Sequence, residues 1–133
     1  MARCCMNEIV AEWIEKAEED YRTAEREARV RKAPSYNVVC FHAQQCAEKY
    51  LKALLMHHQI PFRLIHDLEV LLGLVIPISP DLEVIRDRFL LLNDYAVDVR
   101  YPGESATKDE ARAAVKAMRT VRALIRPKLG FAI

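Results

Sequence analysis

The chain has 133 residues, with 20 Lys and Arg against 19 Asp and Glu and a formal net charge of +1. This length predicts a single domain, residues 1–133, with a core of its own. The balanced charge argues against a protein that coats nucleic acid non-specifically, because such a protein needs an excess of basic residues, so no DNA partner is predicted. A local basic patch remains compatible with a net charge near zero. No apolar run is long enough to span a bilayer and no secretory signal pattern is found, so we expect a cytoplasmic protein without membrane contact.

The sequence contains no pattern typical of a metal or cofactor site. The four cysteines include no Cys-x-x-Cys element, and we expect all of them to be reduced. They are Cys4, Cys5, Cys40 and Cys46. A glycine-rich phosphate loop is absent, and no acidic cluster has the spacing of a magnesium site. We therefore expect no metal and no cofactor.

Two long helices are predicted in the first half of the chain. The first runs from about Asn7 to Arg31, because its apolar positions step by three and four residues while glutamates line the other side. Pro34 stops it, since the residue before a proline disfavours the helical conformation. The second runs from about Tyr36 to His58, with Ser35 or Asn37 as its N-cap.

The second half of the chain is predicted to be helical as well. A short helix from Leu68 to Leu74 begins beside Asp67, which suits a helix N-terminus. A third long helix runs from its cap at Ser79 to Arg100, where Tyr-Pro-Gly ends it. A Thr-x-x-Glu capping box opens the last helix, Thr107 to Arg126. No segment alternates with period two, so the predicted fold is all-α: an up-and-down antiparallel bundle of four long helices and one short helix.

One face of the second predicted helix carries an unusual set of side chains, which we call the polar row. At about 100° per residue, its four members fall within an arc of roughly 80°. They are His42, Gln45, Lys49 and Lys52. A surface helix has no packing reason to place an imidazole, an amide and two ammonium groups in one stripe. We therefore predict that the polar row binds a phosphate or a nucleotide.

Each member of the polar row also has a structural alternative. His42 could hydrogen-bond a neighbouring helix, and Gln45 could bridge two helices through its amide. Lys49 and Lys52 could be solvated, with Lys52 paired to Glu48 at the i, i+4 spacing.

Three further features supply candidate groups. Arg100, beside Tyr101 at a helix end, could clamp a phosphate or stack on a base, or it could neutralise a nearby aspartate. His66 could relay a proton, whereas its neighbour Asp67 is explained by capping. A basic set on the last helix is either a solvated face or a docking surface for an acidic partner or RNA. It comprises Arg112, Lys116, Arg119, Arg122 and Arg126.

Three segments of the sequence, in a fixed order, match a known pattern. They are Phe-His-Ala-Gln-Gln-Cys-Ala-Glu-Lys at 41–49 with Leu-Lys-Ala-Leu at 51–54, His-Asp-Leu at 66–68, and Leu-Asn-Asp-Tyr at 92–95 leading to Arg-Tyr-Pro at 100–102. Together they resemble the HEPN family of small helical domains. The likeness spans roughly Val10 to Ala123. It implies a helical bundle that usually dimerises and is often encoded beside, or fused to, a minimal nucleotidyltransferase. It also implies links to nucleotide binding and to toxin–antitoxin pairs.

Many members of that family are metal-independent ribonucleases with an Arg-x4-6-His motif. Here Arg100 is followed by no histidine in that range, and Arg63 precedes His66 by three positions only. The ribonuclease motif is therefore not seen, and the catalytic residues of any enzyme activity are unknown. A ribonuclease using Arg100 with His42 or His66 is one alternative function.

The function predicted from these observations is a homodimeric module that binds nucleotide phosphates, a nucleotidyltransferase partner or both, and that could belong to a toxin–antitoxin-type pair. RNA is a further possible ligand. Its predicted ligand-binding residues are His42, Gln45, Lys49, Lys52, Arg100 and Tyr101. The second alternative is a purely structural dimerisation or interaction protein. For that function the second predicted helix has apolar side chains outside its central stripe, namely Val38, Val39 and Leu55.

Overall fold

A computed structural model describes residues 2–96 and 102–131, with side chains from residue 8 onward. The described residues form five α-helices and two 3₁₀ segments, and they contain no strand. The helices are α1 (Ala2–Ala28), α2 (Tyr36–His57), α3 (Leu68–Val75), α4 (Arg86–Asn93) and α5 (Lys108–Ile125), and the 3₁₀ segments are Pro80–Ile85 and Arg126–Leu129. The predicted all-α class is confirmed. None of the described helices is both long and apolar enough to cross a membrane.

The central element of the bundle is α2, which contacts α1, α3, α4 and α5. It begins after Ser35, whose hydroxyl accepts a hydrogen bond from the Val38 N–H at 3.3 Å, so one of the two predicted caps is confirmed. Its predicted core-facing side is fully buried. That side consists of Ala43, Ala47, Tyr50, Leu51 and Leu54.

Burial of α2 extends beyond that central stripe. Val39 and Leu55 have no exposed surface, and Val38 is half-buried. Because other helices surround α2, these apolar side chains pack inside the protomer. The prediction that Val39 and Leu55 are available for an interface is therefore wrong.

The third predicted long helix is interrupted. A 3₁₀ segment, Pro80–Ile85, comes first, and α4 begins only at Arg86 because Ile85 has the non-helical dihedral angles φ −110° and ψ 22°. Two buried residues in the 3₁₀ segment, Leu82 and Ile85, are three positions apart, which suits a helix of 3.0 residues per turn. Ser79 precedes the segment, but its side chain makes no capping hydrogen bond.

Two helix starts form as predicted. Asp67 caps α3 by accepting hydrogen bonds from the N–H groups of Glu69 and Val70 at 2.9 and 3.4 Å. Asn93 fixes the same turn, because its Oδ1 accepts from the Leu68 N–H at 2.8 Å while its Nδ2 donates to Asp67. At α5 both hydrogen bonds of the capping box between Thr107 and Glu110 are present. These caps are local, and the spacing of two or three residues is enough to predict them.

Candidate functional site

Half of the polar row converges on one buried carboxylate of α1. Asp20 Oδ1 lies 2.7 Å from His42 Nδ1, and Asp20 Oδ2 accepts a hydrogen bond from Lys49 Nζ at 2.5 Å. The side chains of His42 and Lys49 are only 28% and 21% exposed. This is the structural alternative for His42, a hydrogen bond to a neighbouring helix. An anion at this point would compete with Asp20 for both donors.

The other basic member of the row is removed from solvent. Lys52 Nζ donates to Glu48 Oε2 at 2.9 Å, and the two side chains are 4% and 3% exposed. The ammonium also lies 5.6 Å from the ring centroid of Trp13, within range of a cation–π contact. The i, i+4 pair is confirmed, but the alternative in which Lys52 is solvated is wrong, because its ammonium lies between Glu48 and the Trp13 ring of α1.

Glu48 also holds an exposed imidazole. Its Oε2 lies 3.0 Å from His66 Nδ1, and the His66 side chain is 66% exposed. Gln44 Nε2 reaches both Glu48 Oε1 and the His66 carbonyl oxygen at 3.3 Å, and it ties the connector to α2. Gln45 donates to Gln44 Oε1 at 2.7 Å on the same helix. The amide that joins two elements is thus Gln44, one residue before the predicted one.

Two carboxylates organise the row: Glu48, which the sequence analysis names as the partner of Lys52, and Asp20, which it misses. Asp20 lies three positions after Ala17 and four before Ala24, which are both fully buried. A polar residue in the buried register of α1 was the available signal, because a buried charge must find a partner. The partner of Asp20 depends on how α1 packs on α2, and the helical periodicity of the sequence does not predict that packing.

A second ionic network joins α1 to α5. Both Glu18 oxygens accept hydrogen bonds from Arg122 at 2.8 Å, and the Tyr50 hydroxyl donates to Glu18 as well. Arg126 Nη1 in turn donates to the Tyr50 hydroxyl at 3.1 Å. Burial raises the pKa of Glu18, but the hydrogen bonds from Arg122 and Tyr50 outweigh it, so the pKa lies below the usual value. Arg122 therefore has a structural role within the predicted basic set.

The α1–α5 contact predicts a loss of stability in acid. Arg119 donates two hydrogen bonds to Glu25, at 2.6 Å each, and they lower the pKa of Glu25. The pKa values of both Glu18 and Glu25 are therefore below the usual value. Such carboxylates contribute stability that is complete above the unfolded-state pKa, 4.5, and is lost as the pH falls through the lower folded-state values. We expect urea midpoints to fall below pH 4.5, and the double variant Glu18→Gln/Glu25→Gln to lose less between pH 7 and pH 3 than the wild type. Equal losses would contradict this assignment.

An open groove of about 740 Å³ lies between the C-terminal end of α1 and the N-terminal half of α5, and we call it the basic groove. Its cations are Arg29, Arg31, Lys108, Arg112, Lys116 and Arg119. The single carboxylate in its lining, Glu25, is already bound by Arg119. In the part of the chain that the structure describes, the other five cations have no carboxylate at ion-pair distance. Sequence reasoning found the α5 half of this groove but not the α1 half.

Two of the predicted ligand-binding residues cannot be placed relative to the site. Arg100 and Tyr101 lie outside the described residues, as do the side chains of Cys4 and Cys5. Cys40 and Cys46 are buried and form no disulfide, and burial raises the pKa of Cys46 well above its ordinary value. Across residues 8–96 and 102–131, no group of three or more His, Cys, Asp and Glu side chains is arranged to hold a metal ion.

Comparison with known proteins gives a consistent result. The family model described as the HEPN domain matches residues 10–128. Two crystal structures are similar: ST0689, an archaeal HEPN homologue, and TT1696 from Thermus thermophilus. Each has a TM-score of 0.71 at 25% identity, over 90% of this chain and 97% of the other. A comparison with curated proteins found no match. Because the family model covers most of its length, the chain belongs to the HEPN domain family.

Proposed function

We propose that this HEPN-family protein is a binding module for phosphate-bearing ligands, nucleotides first among them, and that the basic groove binds the phosphates. The observation that carries this proposal is the excess of cations in the groove. Five of its six basic side chains have no acidic partner among the described residues, so their combined field attracts anions. Exposed Lys and Arg side chains can then form charge-assisted hydrogen bonds to phosphate oxygens.

The basic groove has better support than the polar row as the phosphate site. In the row, Asp20 accepts from both His42 and Lys49, and Glu48 accepts from Lys52. A phosphate would have to displace a buried carboxylate that is already hydrogen-bonded, and the displaced charge would be left without a partner. The groove needs no such exchange. Ligand binding by the polar row stays a prediction that the same experiment can test.

The test is a titration of the protein with a fluorescent ATP analogue, followed by anisotropy at low salt. We expect Arg112→Ala and Lys116→Ala each to weaken binding at least about fivefold, since each removes a charge-assisted contact. Lys16→Ala is the matched control, because it removes an exposed lysine from α1 outside the groove. Lys49→Ala tests the polar row. Binding that is lost in Lys49→Ala alone would move the site to the row, and no binding at all would overturn the proposal.

The proposal extends to assembly. We propose that the protein acts in the cytoplasm as a homodimer, paired with a minimal nucleotidyltransferase in a toxin–antitoxin type of system. Family membership supports this assembly. The dimer is also supported by apolar side chains that the protomer leaves exposed, among them Leu64, which is 94% exposed, and Val84, which is 83% exposed. A monomer by light scattering at the concentrations of the titration would contradict the dimer.

One observation favours a second function, a metal-independent ribonuclease. His66 is exposed and is held through Nδ1 by the buried Glu48, an arrangement that fixes the tautomer and direction of a general base. The cation that would stabilise the phosphorane charge, Arg100, lies outside the described residues. RNA cleavage that persists in EDTA and is lost in both His66→Ala and Arg100→Ala would move the conclusion to this function.

A further inference from the structure

The basic groove continues into a second cavity. This second cavity, of about 400 Å³, is lined by residues of α1 alone: Tyr21, Arg22, Glu25, Arg26 and Arg29. Glu25 and Arg29 line both cavities. The two cavities therefore adjoin at the C-terminal end of α1, and we call their combined lining the basic band.

The cations of the basic band follow a matching pattern on two helices. On α1, Arg22, Arg26 and Arg29 have the spacing i, i+4, i+7, which places them on one face. Arg112, Lys116 and Arg119 repeat this spacing on α5. Each row is about 10 Å long at 1.5 Å per residue. The two helices run antiparallel, because Glu18 pairs with Arg122 while Glu25 pairs with Arg119.

Charge is distributed unevenly between the basic band and the rest of the protein. Eight of the 20 basic residues line the two cavities, whereas one of the 19 acidic residues, Glu25, does so. The remainder of the chain is therefore acidic, although the net charge of the whole is +1. Like charges at i, i+4 spacing repel one another. An extended anion would remove that repulsion along both rows.

We propose that the basic band binds the sugar–phosphate backbone of a single-stranded polynucleotide, which runs through the basic groove and over α1 into the second cavity. This inference rests on the proposed function in so far as the groove must bind phosphate, and it names the ligand class. A mononucleotide occupies the groove alone. A strand carries one charge per nucleotide and follows the band as far as Arg22 and Arg26.

The residue types of the band favour a polynucleotide over an acidic peptide. Six of the eight cations are arginines, whose planar guanidinium groups bind phosphate bidentately and stack on bases. Each cavity also contains a tyrosine, Tyr36 in the basic groove and Tyr21 in the second cavity. One face of Tyr21 is covered by Arg122, at 4.3 Å from the ring centroid. Aromatic faces beside a basic groove are the means by which proteins hold single strands without reading their sequence.

The experiment compares fluorescein-labelled dodecauridylate with UTP by anisotropy across a series of salt concentrations. We expect dodecauridylate to bind at least about 100-fold more tightly than UTP at low salt, because it reaches both cavities. For about five neutralised phosphates, log Kobs should fall with log salt at a slope of about −3 to −4. The double variant Arg22→Gln/Arg26→Gln should reduce the magnitude of that slope by about 1.4 while leaving UTP binding unchanged.

The controls separate this inference from the proposed function. Lys16→Gln should leave both ligands unaffected, and Arg112→Gln/Lys116→Gln should weaken both. UTP binding with no gain for dodecauridylate, or a wild-type slope in Arg22→Gln/Arg26→Gln, would overturn the inference and leave the proposed function standing. Dodecauridylate binding without UTP binding would support the inference and refute the nucleotide proposal. Competition by oligoglutamate at equal strength would replace the polynucleotide with an acidic peptide.

Discussion

Lys52→Met is expected to lower the free energy of unfolding by about 3–5 kcal/mol, because it leaves the Glu48 carboxylate buried without its ammonium partner. Glu48 Oε2 accepts from Lys52 at 2.9 Å, and neither side chain is more than 4% exposed. His66 then becomes the remaining cationic partner of Glu48, and only when its ring is protonated. Urea unfolding of the wild type and the variant at pH 7 measures the difference.

Two controls show whether the loss comes from the unpaired charge. In Glu48→Gln/Lys52→Met no uncompensated charge is left, and we expect it to recover most of the lost stability. Lys49→Met makes the same substitution at a partly exposed member of the polar row. Asp20 then still contacts His42, so we expect the free energy of unfolding to fall by only about 1 kcal/mol. A double variant no more stable than Lys52→Met would contradict the charge argument and indicate a packing defect.

Phe89→Ala is the second substitution with a large expected effect, a loss of about 3–5 kcal/mol from the free energy of unfolding. Phe89 has no exposed surface, and it anchors the two-turn helix α4, Arg86–Asn93, in the core. Its removal leaves a cavity among residues that pack on α2 and α5, and this helix has few other buried side chains with which to compensate.

The matched control is Leu90→Ala, in the next position of α4. Leu90 is 42% exposed, so its truncation removes less buried surface, and we expect a loss of about 1 kcal/mol or less. Thermal or urea unfolding of both variants provides the comparison. Similar losses in the two variants would show that α4 is held by contacts other than the buried face.

The features that could be predicted from the sequence depend on residues close together in the chain. The N-cap of α2, the capping box of α5 and the buried stripe of α2 follow from spacings of three and four residues, and all are present. The break before α4 was missed because Leu82 and Ile85 fit both an α-helical and a 3₁₀ period. Local pattern alone does not choose between them.

The candidate site could be predicted only in part, because its charged side chains pair with residues that are distant in the sequence. Asp20 and His42 are 22 residues apart, and whether the polar row is neutralised depends on that pairing. The basic groove likewise combines the end of α1 with the beginning of α5. The helical period correctly gathered the cations of α5, but which helices pack side by side is a property of the tertiary fold.

The ionic contacts between α1 and α5 connect opposite ends of the polypeptide, since Glu25 and Arg119 are 94 positions apart and Glu18 and Arg122 are 104 apart. The basic band is therefore completed only after the last helix has been made and docked. A nascent or truncated chain that ends before Lys108 would keep the central helix but would display only half of the cations. The anion binding that we propose for the basic band would thus report that the whole domain has folded.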